Sequence, residues 1–147
     1  MRMEKIDQVV KKLVNKFDTN DPFKIAKELN ILIKIDDIGG CDGCYMYLKR
    51  HRCIFLNNKL SEKELVFVMA HELGHAILHR KINCYFLRNK TFLKTSVYEN
   101  EANLFALFML ISDKNIEEFK NMTVYQIADM FKVDEKIVRM RFKNHEQ

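Results

Sequence analysis

The chain has 147 residues, with 25 Lys and Arg against 20 Asp and Glu, a formal net charge of +5 at neutral pH. That is the length of one ordinary domain, which buries about two thirds of its unfolded surface and so can hold a core without staples. The mild positive excess is far from a histone-like charge, no apolar run reaches the roughly 18 residues of a membrane span, and the polar start from Met1 to Asp7 lacks the apolar core of a secretory signal; the protein is therefore expected in the cytoplasm, with its four cysteines as free thiols.

Ile6, Val9, Val10, Leu13, Val14 and Phe17 recur at helical spacing and predict a first helix over 4–17. Pro22 lies just inside a second helix start, and that helix runs to about Leu29. Ile31 to Ile35 reads as a strand, Gly39 to Gly43 as a turn, and residues 44–49 and 52–57 as two strands joined by a short basic connection at Arg50 and His51. Cys41 and Cys44 have CxxC spacing, which invites a metal or redox reading. A structural zinc site would want a second pair, and Cys53 and Cys84 are single; a thioredoxin-type site would want a helix at the first cysteine, and a strand-like stretch follows instead. The pair therefore reads as two small thiols in a glycine-rich turn.

Ser61 with Glu64 is a capping box that opens a third helix. From Leu65 to Leu78 this helix reads LVFVMAHELGHAIL, in which the only ionisable side chains are His71, Glu72 and His75. A helix that is apolar almost all round is a buried helix, and three unpaired polar groups in its middle would cost several kcal/mol. A bound cation is the simplest compensation. Residues four apart share one helix face, so His71 and His75 can present nitrogens to one point, a geometry that suits tetrahedral zinc. Glu72 points roughly 100° round the helix, beside the metal, where a carboxylate can act as general base. Gly74 is a poor helix former, by about 1 kcal/mol against alanine, and its place between the two histidines predicts close packing on a neighbouring element.

A catalytic zinc site usually has three protein ligands. His79 continues the i+4 row, but a rigid helix carries it about 12 Å from His71, too far to share one ion. His51 and His145 are isolated. Residues 80–96 show little periodicity and predict a loop or short strand beside the site, and a second apolar helix runs from Ala102 to Ile111. The segment that opens this helix offers Glu99 and Glu101. Glu99, Asn103, Ala106 and Leu110 share one stripe, so Glu99 can bind the metal while the Asn103 amide holds a ligating histidine. Glu101 falls on another stripe and reads as a solvated charge near a helix N-terminus. Tyr85, Tyr98, His51 and Arg88 are the candidate stabilisers of a developing oxyanion.

Beyond residue 112, Val124, Ile127, Ala128 and Phe131, then Val133, Ile137 and Val138, predict a helix-turn-helix-like pair. If the pair read DNA, Lys136, Arg139, Arg141 and Lys143 would be the contacts. With no second basic cluster, packing on the core or docking of a protein is the preferred role.

These segments together resemble the ImmA/IrrE family of zinc metallopeptidases, found in phages and mobile elements. The resemblance covers most of the chain: residues 21–30 look like the family's N-terminal helix, Cys53 to Asn57, Leu60 and the HELGHAILH helix like its centre, and residues 99–106 like its second motif. It implies His71, His75 and Glu99 as zinc ligands and Glu72 as catalytic base, and it agrees with Asn103 in a supporting role. The family commonly ends its second helix with Leu-Leu-Met-Pro; here Met109 to Ser112 carries no proline, so a slightly different helix end is expected. The resemblance also implies an anti-repressor that cleaves a helix-turn-helix repressor, or promotes its cleavage.

The expected architecture is α+β, with a small mixed or antiparallel sheet packed on the HExxH helix. A metallopeptidase core over 1–112 and a helical segment over 113–147 are expected to form one monomeric domain. The alternative is a zinc-containing DNA- or protein-binding regulator without protease activity.

Overall fold

The computed structural model of the chain describes residues 3–83 and 92–143, with the backbone alone over 92–96. The fold is α+β. Helix α1 (Met3–Phe17) buries Ile6 and Val10. Helix α2 (Pro22–Glu28) begins where Asp21 Oδ1 accepts from the Phe23 N–H at 2.9 Å, with proline at the position whose missing N–H does no harm. Strands β1 (Leu32–Asp36), β2 (Gly43–Leu48) and β3 (His51–Asn57) form a mixed sheet in the order β1-β3-β2, with β1 parallel and β2 antiparallel to β3. The β2–β3 turn is made by Lys49 and Arg50, both left-handed (φ 48° and 67°). Two such residues give a turn whose twist matches the flanking strands. Neither is the Asn or Gly that usually marks it, which is why the connection was expected one residue later.

Helix α3 (Glu62–Leu78) starts on a reciprocal capping box, the Ser61 hydroxyl with the Glu64 N–H and the Glu64 carboxylate with the Ser61 N–H. Strands β2 and β3 pack against α3 on one side and helix α4 (Phe92–Leu110) packs against it on another. Helix α4 therefore begins ten residues before the expected Ala102, within a stretch read as loop or strand. Its first half carries Tyr98, Glu99, Glu101 and Asn103, so no apolar stripe announced it. Gly74 sets the approach of the two helices: a Cβ there would lie 3.1 Å from Cβ, Cγ and Cδ1 of Phe105. Phe105 is wholly buried, and its Cβ is tied to the α4 backbone, so it has nowhere to go. Gly74→Ala should gain about 1 kcal/mol of helix propensity and lose about 1–3 to overpacking. Its melting temperature should fall by a few degrees; a thermal melt at or above that of the unsubstituted protein would show that the contact yields freely.

After a 3-10 turn (Ile116–Phe119) come α5 (Val124–Phe131) and α6 (Glu135–Phe142). Helix α6 packs on α4. The Arg141 guanidinium is buried, donates through Nε to the Ile111 carbonyl at 2.9 Å and through Nη2 to the same oxygen, and stacks over Phe108. Arg141 was one of the contacts offered only if the helix pair read DNA; it is a structural donor, in keeping with the preferred role of packing on the core, because the last carbonyls of a helix have no intrahelical partner. Asn115 Nδ2 serves the Leu110 carbonyl and Asn20 Nδ2 the Met109 carbonyl. Side-chain donors thus finish α4 where the sequence has no proline. Cys41 and Cys53 are not in disulfides, whereas Cys44 is disulfide-bonded. The expectation of free thiols fails there, since a disulfide joins segments that meet only in the fold. Among the described residues, no helix is long and apolar enough to cross a membrane.

Candidate metal centre

Helices α3 and α4 run antiparallel where the polar residues meet, so His71 lies opposite Asn103 and His75 opposite Glu99. His75 Nε2 is 2.8 Å from Glu99 Oε1, and His71 Nε2 is 3.2 Å from Glu99 Oε2. One ligand atom from each of the three residues falls within 4.8 Å of the others. The helical period places the two imidazoles one turn apart on α3, at 4.8 Å between ring centroids. Two imidazole nitrogens and a carboxylate oxygen aimed at one point are a donor set suited to a divalent transition metal. Glu99 is the most open of the three, with its side chain 41% exposed, so solvent reaches the cluster from that side.

The outer ring atoms are also occupied. His71 Nδ1 is 2.7 Å from Asn103 Oδ1, and since a carbonyl oxygen only accepts, a hydrogen sits on Nδ1 and Nε2 is the ring nitrogen turned toward Glu99. Burial drives the pKa of His75 down to about 4, despite Glu99, and the neighbouring His71 and His79 push the same way. His75 is thus neutral at pH 7. Burial also opposes charge on His71, but the hydrogen bond to Glu99, the charges of Glu72 and Glu99, and Asn103 outweigh it and raise its pKa above the ordinary 6.5. Burial would raise the pKa of Glu99; the hydrogen bonds and charge of His71 and His75 hold it well below the usual carboxylate range. With no cation the cluster is therefore a His71 imidazolium beside a Glu99 carboxylate. A cation would take the place of that one proton.

Glu72 is only 6% exposed and faces the sheet: a Cβ added to Gly43 of β2 would lie 3.1 Å from Glu72 Cγ and 2.6 Å from Val68 Cγ1. Only glycine allows β2 to pass so close to this carboxylate.

Sequence reasoning missed a second layer. His79 and Glu101 are 4% and 8% exposed. His79 Nδ1 lies 2.9 Å from His75 Nδ1, and His79 Nε2 lies 2.9 Å from Glu101 Oε1. The solvated role expected for Glu101 is overturned, since the earlier start of α4 puts this residue well inside the helix. Its distance from His71 kept His79 out of the expected ligand set, but a hydrogen bond to His75 needs only one turn. Of the expected oxyanion stabilisers, Tyr98 packs edge-on against His79, at 4.7 Å between centroids. His51 is exposed and pairs with Leu48, roughly 17 Å along the strand from Gly43, away from Glu72. Tyr85 and Arg88 lie outside the described residues.

Residues 26–143 match the IrrE N-terminal-like domain of the Peptidase_M78 family. The chain is 34% identical to "Uncharacterized immunity region protein 2" of Bacillus phage phi105, over 92% of this chain and 88% of that one. It is 29% identical to "Metallopeptidase ImmA" of Bacillus subtilis strain 168, over 87% and 78% of the respective chains. With the phage-like element PBSX protein XkdA of the same bacterium the identity is 27%, over 97% and 73%.

Proposed function

The chain belongs to the Peptidase_M78 family, and from that premise we propose that it is a zinc-dependent endopeptidase in which His71, His75 and Glu99 hold the metal and Glu72 is the general base. The observation that carries this reading is the convergence of two imidazole Nε2 atoms and one carboxylate, with Glu72 adjacent in sequence and on the neighbouring helix face. A zinc ion held there would polarise a peptide carbonyl and lower the pKa of a water towards about 7. Glu72 accepts the proton of the attacking water and passes it to the departing amine. Asn103 keeps the His71 ring in its tautomer.

Strand β2, the edge of the described sheet nearest Glu72, supplies a seat for the substrate. Its Tyr47 N–H points away from β3, toward Asn83 Oδ1 at 2.6 Å, so the N–H groups of Gly43 and Tyr45 share that outer edge. An extended peptide adding to this edge would run past Gly43 and bring one of its peptide bonds beside Glu72. The anti-repressor role assigns a helix-turn-helix repressor, a cytoplasmic protein, as substrate; the phage immunity region of the first relative supports that setting. Co-expression with a repressor encoded beside this gene tests it. Truncated repressor should accumulate with the unsubstituted protein and not with Glu72→Gln; intact repressor in both cultures would overturn the substrate assignment.

The proton on His71 gives the metal site a defined pH dependence. Binding must displace it, and its pKa lies above 6.5. Apparent zinc affinity should therefore rise by about tenfold per pH unit up to that value and level off beyond it. His75, neutral above about 4, adds no slope near neutrality. Competition against a chromophoric chelator from about pH 5.5 to 8.5 measures this, and a flat profile would rule out the His71–Glu99 pair.

A further inference from the structure

Two buried polar side chains beside the metal centre have no part in the chemistry above. His79 caps the C-terminus of α3, its backbone N–H bound to the His75 carbonyl at 2.8 Å. Its ring bridges two partners, His75 through Nδ1 and Glu101 of α4 through Nε2, both at 2.9 Å. A nitrogen–nitrogen contact of that length holds one hydrogen, and the question is which ring owns it.

The Glu101 carboxylate answers it. A carboxylate only accepts, so the hydrogen of a neutral His79 sits on Nε2. His79 Nδ1 is then bare and must accept, which places a hydrogen on His75 Nδ1. In the metal-loaded protein His75 Nε2, which lies 2.8 Å from Glu99 Oε1, is then the ring nitrogen that carries no hydrogen. The opposite tautomer of His75 would carry its hydrogen on Nε2, where a metal ligand must be bare, and would need His79 to donate from Nδ1, leaving a bare His79 Nε2 against the Glu101 carboxylate.

We propose that Glu101 and His79 are positioning residues, a hydrogen-bond relay that holds His75 in the one tautomer able to ligate a metal. The relay rests on the reading that His71, His75 and Glu99 bind zinc. It is the counterpart of Asn103 on His71, with one difference: the Asn103 amide is neutral, whereas the relay ends in an anion and so makes His75 the more basic ligand. Glu101 acts on the metal without approaching it, and because His79 sits on α3 and Glu101 on α4, the relay also pins the two helices in register at the site.

The test is zinc competition titration of the full-length protein, together with proton NMR of the zinc-loaded form. His79→Phe keeps a ring against Tyr98 and removes the acceptor; it should bind zinc about 10- to 100-fold more weakly, the range typical of groups that orient a ligand. Glu101→Gln keeps an acceptor oxygen and loses the charge, and should fall between the two. The unsubstituted protein should show two slowly exchanging imidazole protons, on His75 Nδ1 and His79 Nε2. Both should vanish in His79→Phe, and the His75 proton should move upfield in Glu101→Gln. A merely structural role would lower the metal-free melting temperature while leaving the His75 proton where it was, and that result overturns the proposal. Unchanged zinc affinity in both variants overturns it as well. Should His79→Phe fail to fold, Glu101→Gln decides alone by the same two readouts. An unsubstituted protein that takes up no zinc would instead overturn the metal reading itself, and the relay with it.

Discussion

Glu72→Gln is expected to keep its metal and to lower peptide cleavage by on the order of 10²- to 10⁴-fold, the range for loss of a positioned general base. Glutamine has the shape of glutamate, so it fits the same buried space under Gly43, where Val68 and the strand leave no room to rearrange. It cannot take a proton. Glu72 is not part of the cluster of convergent ligand atoms, so its replacement leaves three donors in place. Its charge does help to raise the pKa of His71, and the variant should therefore hold the competing proton less tightly and keep zinc through neutral pH. Metal analysis and cleavage assayed on the same preparation give the result. Retained cleavage would remove Glu72 as base, and loss of zinc would mean that Glu72 belongs to the metal site.

The parts of this molecule that were legible in the sequence are those written at helical period on one chain segment. His71 and His75 are one turn apart, and so are Glu99 and Asn103, so each pair announced a shared face before its partner helix was known. Gly74 announced close packing for the same reason, through its cost to a helix that retains it. What escaped depends on the meeting of distant segments. His79 and Glu101 are each unremarkable within their own helix and become a buried pair only when α3 and α4 are side by side. Arg141 looked like a surface cation because sequence does not show that the end of α4, thirty residues earlier, needs donors. The start of α4 was lost because polar residues that face the site interrupt its apolar stripe. Lys49 and Arg50 hid a tight turn because tertiary pairing of β2 with β3 imposed left-handed backbone on residues with no preference for it.

Glu99→Ala and Glu101→Ala should separate the ligand from the relay. Loss of Glu99 removes one of the three convergent donors and should weaken zinc binding by well over the roughly 100-fold that orienting groups reach. Loss of Glu101 leaves all three donors and should stay within that range; the reverse order would refute Glu99 as ligand. The metal-free protein gives a second, independent readout through the His71–Glu99 pair. His71 has a raised pKa, so its contribution to stability is complete below 6.5 and fades as pH rises through the raised value. Glu99 has a depressed pKa, so its contribution is complete above 4.5 and fades as pH falls through the depressed value. Both are complete only between about pH 4.5 and 6.5. Metal-free Glu99→Ala should therefore fall furthest below the unsubstituted protein in that window, and the two should converge as pH rises. Part of the pair is open to solvent, so salt should narrow the gap. Metal-free denaturation curves across this pH range check it. A stability difference independent of pH would mean that His71 and Glu99 do not share a proton, and the site would then have no proton for the metal to displace.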